Sequence, residues 1–153
     1  MDTLIIFVGK YLIFIAPIFL LYYIWTRDER TKAIKESLLI GIGSVVGWGV
    51  SNIIKNILKI PRPELASDVL FKNESLYSFP SGHTTFFFTL GTVMYFYHKK
   101  TAIIIFILGA MVGCARVLMG VHFPVDIFGG ATLGIIVGLA IQIIKAKFLT
   151  KYF

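Results

Sequence analysis

The sequence predicts an all-α fold, a polytopic membrane bundle of about five transmembrane helices with a short interfacial segment between the second and third. Three observations predict it. Of 153 residues, 57% are hydrophobic and 15% charged, and the mean hydropathy is +0.83, well above the roughly 45 to 50% apolar content of a soluble domain. Five stretches, at about 3–25, 36–58, 80–98, 101–119 and 124–145, match the ~20 apolar residues that a helix needs to cross a bilayer. The hydrophilic connections between them alternate in charge, every second one being basic. No internal repeat, low-complexity tract or soluble second domain interrupts the pattern, so 1–153 is read as a single integral membrane domain.

The first helix, 3–25, lacks both the preceding basic flank and the following small-residue cleavage site of a signal peptide, and is expected as a mature helix. Lys10 on it is expected to snorkel outward. The second helix carries Gly43 and Gly47, the fourth Gly109 and Gly113, and the fifth Gly130, Gly134 and Gly138. Small residues at this spacing let membrane helices approach closely. In the third helix, Phe86-Phe87-Phe88 are read as lipid-facing and Tyr95 to Tyr97 as interfacial aromatics. Gly41-Ile42-Gly43 lacks the third glycine of a nucleotide fingerprint, and nothing else points to nucleotide or nucleic acid. Cys114, the single cysteine, excludes an internal disulfide and is read as a packing residue. The 60–79 connection is too long for a tight turn and mixes Leu65, Val69, Leu70, Phe71, Leu76 and Tyr77 with charges. It is expected to lie on the membrane surface as a short helix or lid at the lipid entrance.

Arg27, Arg30, Lys32, Lys35, Lys99, Lys100, Lys145, Lys147 and Lys151 all fall on the same side of the predicted bundle. The opposite side, outside the polar motifs, has Lys59 and Lys72 against Asp2, Glu64, Asp68 and Glu74. The positive-inside rule makes the basic side cytoplasmic, with the amino terminus outside and the carboxyl terminus inside. The polar motifs then gather on the outer face. Lys55 and Arg62 end the second helix, His83 starts the third, Arg116 ends the fourth, and His122 and Asp126 start the fifth.

Each motif suits phosphate. Lys55 and Arg62 stand about two helical turns apart, on one face if the helix continues through Pro61, and offer a point charge and a fork of donors. In Pro80-Ser81-Gly82-His83, a serine and glycine at a helix start expose backbone N–H groups to an anion, beside which His83 can give a proton to a departing oxygen. With a helix beginning near Val121, His122 and Asp126 face the same way. The carboxylate then fixes the imidazole tautomer and leaves a nucleophilic nitrogen. Asp126 read alone is also an ordinary helix cap. Pro124 fits the first turn of that helix.

Lysine, six residues, Arg-Pro, then Pro-Ser-Gly-His, then arginine, five residues, histidine, three residues and aspartate resembles the signature of the type 2 phosphatidic acid phosphatase superfamily. The match covers residues 55 to 126, with every charged motif position present and in order. The resemblance implies that His122 is the nucleophile of a phosphohistidine intermediate, Asp126 its orienting partner and His83 the general acid. It also implies that Lys55, Arg62, Ser81, Gly82 and Arg116 bind the phosphoryl group, with no metal or other cofactor. Ala115 departs from the family's usual serine, which removes one auxiliary phosphate contact. The familiar membrane members usually have six helices, so five implies a minimal core.

The expected function is hydrolysis of the terminal phosphate of a lipid phosphate or diphosphate on the outer face of a bacterial cytoplasmic membrane. Among the substrates the resemblance implies, polyprenyl diphosphates such as undecaprenyl diphosphate fit a compact outward-facing enzyme, lipid A 1-phosphate and phosphatidylglycerol phosphate are close runners-up, and the sequence does not separate the three. The expected partners are that lipid and the bilayer. A small transporter or channel would place ionisable groups along a midplane path, and a vanadate haloperoxidase would share the anion pocket but belongs to soluble relatives.

Overall fold

The computed structural model describes residues 3–63 and 76–149. It is helical throughout, with no strand among the described residues: α1 (Thr3–Tyr11), α2 (Ala16–Trp25), α3 (Arg30–Leu58), α4 (Gly82–Tyr95), α5 (Lys99–Leu118) and α6 (Pro124–Ile144). A 3-10 turn, Leu12–Ile15, joins α1 to α2 in one rod, and a π turn, Lys145–Leu149, extends α6. Five rods result, as expected. Four described stretches are long and apolar enough to cross a membrane: Thr3–Trp25, Arg30–Leu58, Lys99–Leu118 and Pro124–Phe148.

The exception is α4. At 14 residues it is about 21 Å long, shorter than the expected 80–98. Its amino-terminal side is spent on a loop through Pro80, and its carboxyl-terminal side ends where His98 caps α5, the His98 Nδ1 accepting from the Thr101 N–H at 3.2 Å. It is also the central helix, packed against α3, α5 and α6. Phe87, Leu90, Val93 and Met94 on it are fully buried with Ile40, Ile105 and Val112. The lipid-facing reading of Phe87 is therefore corrected, because a helix surrounded on three sides has little lipid face to give. Phe86 and Phe88 are partly buried, and Phe88 packs on Phe106 with ring centroids 5.4 Å apart.

The glycines of α6 set how close α4 comes. A Cβ on Gly130 would stand 2.6 Å from the Ser81 carbonyl oxygen, and one on Gly134 would stand 2.7 Å from that of Thr85. Those atoms are backbone and cannot swing away. Three threonines facing this seam return their hydroxyls to their own helix or its start, Thr85 to the Ser81 carbonyl, Thr89 to Thr85 and Thr92 to Phe88, at 2.7 to 2.9 Å. No polar side chain is stranded along the contact.

Two helix ends shape the site face. Lys59 closes α3 in the left-handed region, φ 51°, so α3 does not continue toward Arg62. At the end of α5, Gly120 has φ 69°. Its N–H bonds the Val117 carbonyl at 2.8 Å while the Val121 N–H bonds Arg116 at 3.2 Å, the paired reverse bonds of a Schellman cap. α3 also starts earlier than expected, at Arg30, with the Ala33 N–H closing onto the Glu29 carbonyl at 3.0 Å.

Of the expected surface segment, residues 64–75 lie outside the described residues. Its two ends meet in an antiparallel bridge, Pro61 to Tyr77, with the Ser78 N–H on the Ile60 carbonyl at 2.8 Å.

Candidate active site

The end of α3, the start of α4 and the α5–α6 connection converge on one end of the bundle. Lys55 lies in the last turn of α3 and is buried, 4% exposed. Arg62 reaches the same place by a different route from the expected helical face. Beyond the left-handed Lys59, the bridge to Tyr77 carries an extended Ile60–Pro61–Arg62 across the site. Arg62 Nη1 donates to the Val121 carbonyl at 2.7 Å and lies 3.4 Å from His122 Nε2.

Pro80-Ser81-Gly82-His83 opens α4, with Ser81 at the N-cap, φ −68° and ψ 114°. The fully buried Ser81 makes no side-chain cap bond. Its N–H donates instead to the Asp126 carbonyl at 3.0 Å, which ties the start of α4 to the start of α6. The Thr84 hydroxyl donates to Ser81 Oγ at 3.1 Å, leaving the Ser81 proton to donate in turn. Gly82 is required by close approach, since a Cβ there would stand 2.9 Å from the Trp48 ring and 3.2 Å from Ser51 Oγ. His83, the second residue of α4, is partly buried at the same helix start.

Arg116, His122 and Asp126 are 0%, 2% and 0% exposed. The helix begins at Pro124 rather than near Val121, so His122 stands in the connection and the pairing with Asp126 is made by loop geometry. His122 Nδ1 lies 3.1 Å from Asp126 Oδ2, and the same oxygen accepts the Phe123 N–H at 2.8 Å. One carboxylate thus makes both contacts, with the helix-start N–H and with the imidazole. Arginine can only donate, so the guanidinium facing Nε2 and the carboxylate on Nδ1 together assign the proton to Nδ1 and the lone pair to Nε2.

Burial pushes His122, which lies outside the membrane-spanning segments, down to about 4; Asp126 opposes this, and the charges of Arg116, Arg62 and Lys55 add to it. The imidazole is therefore neutral at ordinary pH. Among the described residues, three buried or half-buried cations, Lys55, Arg62 and Arg116, lie around the His122–Asp126 pair, charge of the sign that suits an anion in a poorly solvated place. A neutral nitrogen nucleophile beside such a cradle can attack a bound phosphorus, and the cations can stabilise the transferring oxygens. Among the described residues no group of three His, Cys, Asp or Glu side chains comes together as a metal site would need.

Ala115 is buried, and a Cβ on Gly9 of α1 would lie 3.5 Å from its methyl, so it packs toward the first rod. Sequence reading missed Ser78, whose hydroxyl lies 3.1 Å from the Pro61 carbonyl and 3.5 Å from Asp126 Oδ1. Its contacts span 17 and 48 residues of sequence, and no local pattern reports them.

Comparisons with known proteins point to one family. The family model described as the PAP2 superfamily matches residues 37–149. The undecaprenyl-diphosphatase BcrC of Bacillus subtilis is 31% identical over 140 residues, covering 90% of this chain and 72% of its own. The bacitracin transport permease protein BcrC of Bacillus licheniformis is 30% identical over 146 residues, covering 91% and 69%. Among solved structures, the PAP2-type phosphatidylglycerolphosphate phosphatase of B. subtilis superimposes with a TM-score of 0.61 at 26% identity, covering 95% of this chain and 75% of its own. Motif order, a bundle that brings the motifs to one end, and these matches lead to one conclusion: the chain belongs to the PAP2 superfamily and is a multi-pass membrane lipid phosphatase.

Proposed function

We propose that the protein removes the terminal phosphate of a membrane lipid diphosphate, with a polyprenyl diphosphate such as undecaprenyl diphosphate as its substrate, on the outer face of a bacterial cytoplasmic membrane. The observation that carries the mechanism is His122, held by Asp126 through Nδ1 and turned with its Nε2 lone pair toward Arg62. His122 Nε2 attacks the terminal phosphorus, and the bond to the bridging oxygen breaks. His83 gives its proton to that oxygen, releasing the lipid monophosphate. Water then attacks the phosphohistidine while His83 takes a proton from it, the P–N bond breaks, and phosphate leaves with His122 neutral again. Lys55, Arg62, Arg116, the Ser81 hydroxyl and the Gly82 N–H bind the phosphoryl oxygens through both steps.

The similarity to an undecaprenyl-diphosphatase over most of both chains favours a polyprenyl substrate. The resemblance in fold to a phosphatidylglycerolphosphate phosphatase keeps that lipid second, with lipid A 1-phosphate third. The outward orientation rests on the basic residues at the opposite end, eight of them among the described residues.

Purified protein is incubated with these three lipids in the presence of chelator, and released phosphate is measured for wild type and His122→Ala. Release by wild type alone, fastest from the diphosphate, is expected; equal release by both proteins would sink the mechanism. Orientation is read by labelling a cysteine placed at Ser67, in a Cys114→Ala background, with an impermeant reagent on intact cells. Protection from the reagent would reverse the topology.

A further inference from the structure

We propose that Ser78 is a positioning residue of the His122–Asp126 pair, its buried hydroxyl holding the second oxygen of Asp126 in register with the segment that delivers Arg62. The inference rests on the mechanism proposed above and adds a residue to it.

The two oxygens of Asp126 have different surroundings. Oδ2 takes both His122 Nδ1–H and the Phe123 N–H. Oδ1 faces the hydroxyl of Ser78, at 3.5 Å, in a carboxylate with no solvent exposure. A buried carboxylate oxygen is costly to leave without a donor, and Ser78 is also fully buried. Its backbone is fixed by the N–H bond to Ile60 at 2.8 Å and by the Pro61–Tyr77 bridge beside it, which keeps the side chain beside Asp126.

A serine hydroxyl has one proton to donate. Here it has three acceptors, the Pro61 carbonyl at 3.1 Å, the Ile60 carbonyl at 3.4 Å and Asp126 Oδ1 at 3.5 Å. Distance favours the two carbonyls, while the negative charge of Asp126 favours Oδ1, the stronger acceptor. Turning the hydroxyl about its own C–O bond moves the proton to Asp126 without moving a heavy atom. Pro61 immediately precedes Arg62, so one side chain touches both the arm that clamps phosphate and the carboxylate that orients the nucleophile. Removing the hydroxyl frees the carboxylate to rotate and loosens the tautomer control of His122, a loss felt in turnover rather than in binding.

The test is phosphate release from farnesyl diphosphate in detergent micelles by wild type, Ser78→Ala, Asp126→Asn and the double variant. Ser78→Ala is expected to lower kcat roughly tenfold with KM within about twofold, and to add less than about twofold to Asp126→Asn. Should Ser78→Ala not be recovered folded, Ser78→Cys, close in size and a poor donor, carries the same comparison with the same expected loss. A wild-type kcat in the variant, a change confined to KM, or an equal fold-loss with and without Asp126 would each overturn the proposal. Silence of the wild type itself would instead overturn the proposed function.

Discussion

The two ends of the bundle use the same residue types for different ends. At the site end, Lys55, Arg62 and Arg116 lie around Asp126 and His122. At the opposite end, several ionisable groups meet a tyrosine. The Tyr23 hydroxyl donates to the buried Glu36 at 2.5 Å, Lys145 Nζ donates to the Tyr97 hydroxyl at 2.9 Å, and Arg27 and Lys99 lie over the rings of Tyr23 and Tyr95. The two described histidines placed in connections make the contrast sharp. His98 Nδ1 accepts from the Thr101 N–H and so carries no proton, whereas His122 Nδ1 faces a carboxylate and so carries one. One imidazole caps a helix; the other has its Nε2 lone pair turned into a cluster of cations. Cations gathered around a histidine whose Nε2 carries no proton distinguish the site end from the end where a histidine caps a helix.

The largest expected effect that could break this contrast is on the two buried carboxylates. Asp126→Asn is expected to cost on the order of a thousandfold in kcat, because the amide no longer specifies the tautomer, while Glu36→Gln leaves kcat within about threefold. Steady-state phosphate release checks both, and comparable losses would make the two ends equivalent. The pH profile sharpens it next. The folded pKa of His122, about 4, lies below the ordinary value of 6.5, so the imidazole stays neutral and nucleophilic until pH falls toward 4. The acid limb that His122 imposes on kcat/KM is expected there, and a limb near 6.5 absent from the substrate's own titration would contradict it. The stability sign is the same: an unfolded chain takes up the proton first, so His122 costs stability as pH falls from 6.5 toward 4. The smallest effect concerns backbone approach. Gly130→Ala, with its Cβ 2.6 Å from a carbonyl oxygen, is expected to destabilise by about 2 kcal/mol. Gly49→Ala meets nothing within 4 Å and is expected to be neutral or stabilising by up to about 1 kcal/mol. Thermal unfolding in detergent compares them.

Hydropathy exposed the five rods in the sequence, because a membrane solvent leaves long apolar runs that need no tertiary information. The α6 glycines were also legible, as was the gathering of motifs at one end. What sequence spacing could not supply was the route. Lys55 and Arg62 look like one helical face, yet the left-handed Lys59 and the pairing of Pro61 with Tyr77 place Arg62 by a long-range bridge. His122 and Asp126 sit four apart, yet only Asp126 is helical. Phe87 reads as lipid-facing because an apolar residue in an apolar helix gives no sign of which neighbours surround it. Glu36 did carry a readable signal, a carboxylate inside a membrane helix, and its partner Tyr23 is 13 residues away across a turn.

The most direct test of the central claim, that His122 receives the phosphoryl group, is mass analysis of the His83→Ala protein mixed with farnesyl diphosphate and quenched in alkali. A lipid monophosphate departs with less help from an acid than water needs from a base, so loss of His83 slows breakdown more than formation, and the intermediate is expected to accumulate as a phosphoryl adduct on the peptide holding His122 that His122→Ala abolishes. Phosphate release with no adduct, or an adduct on any other residue, would contradict it.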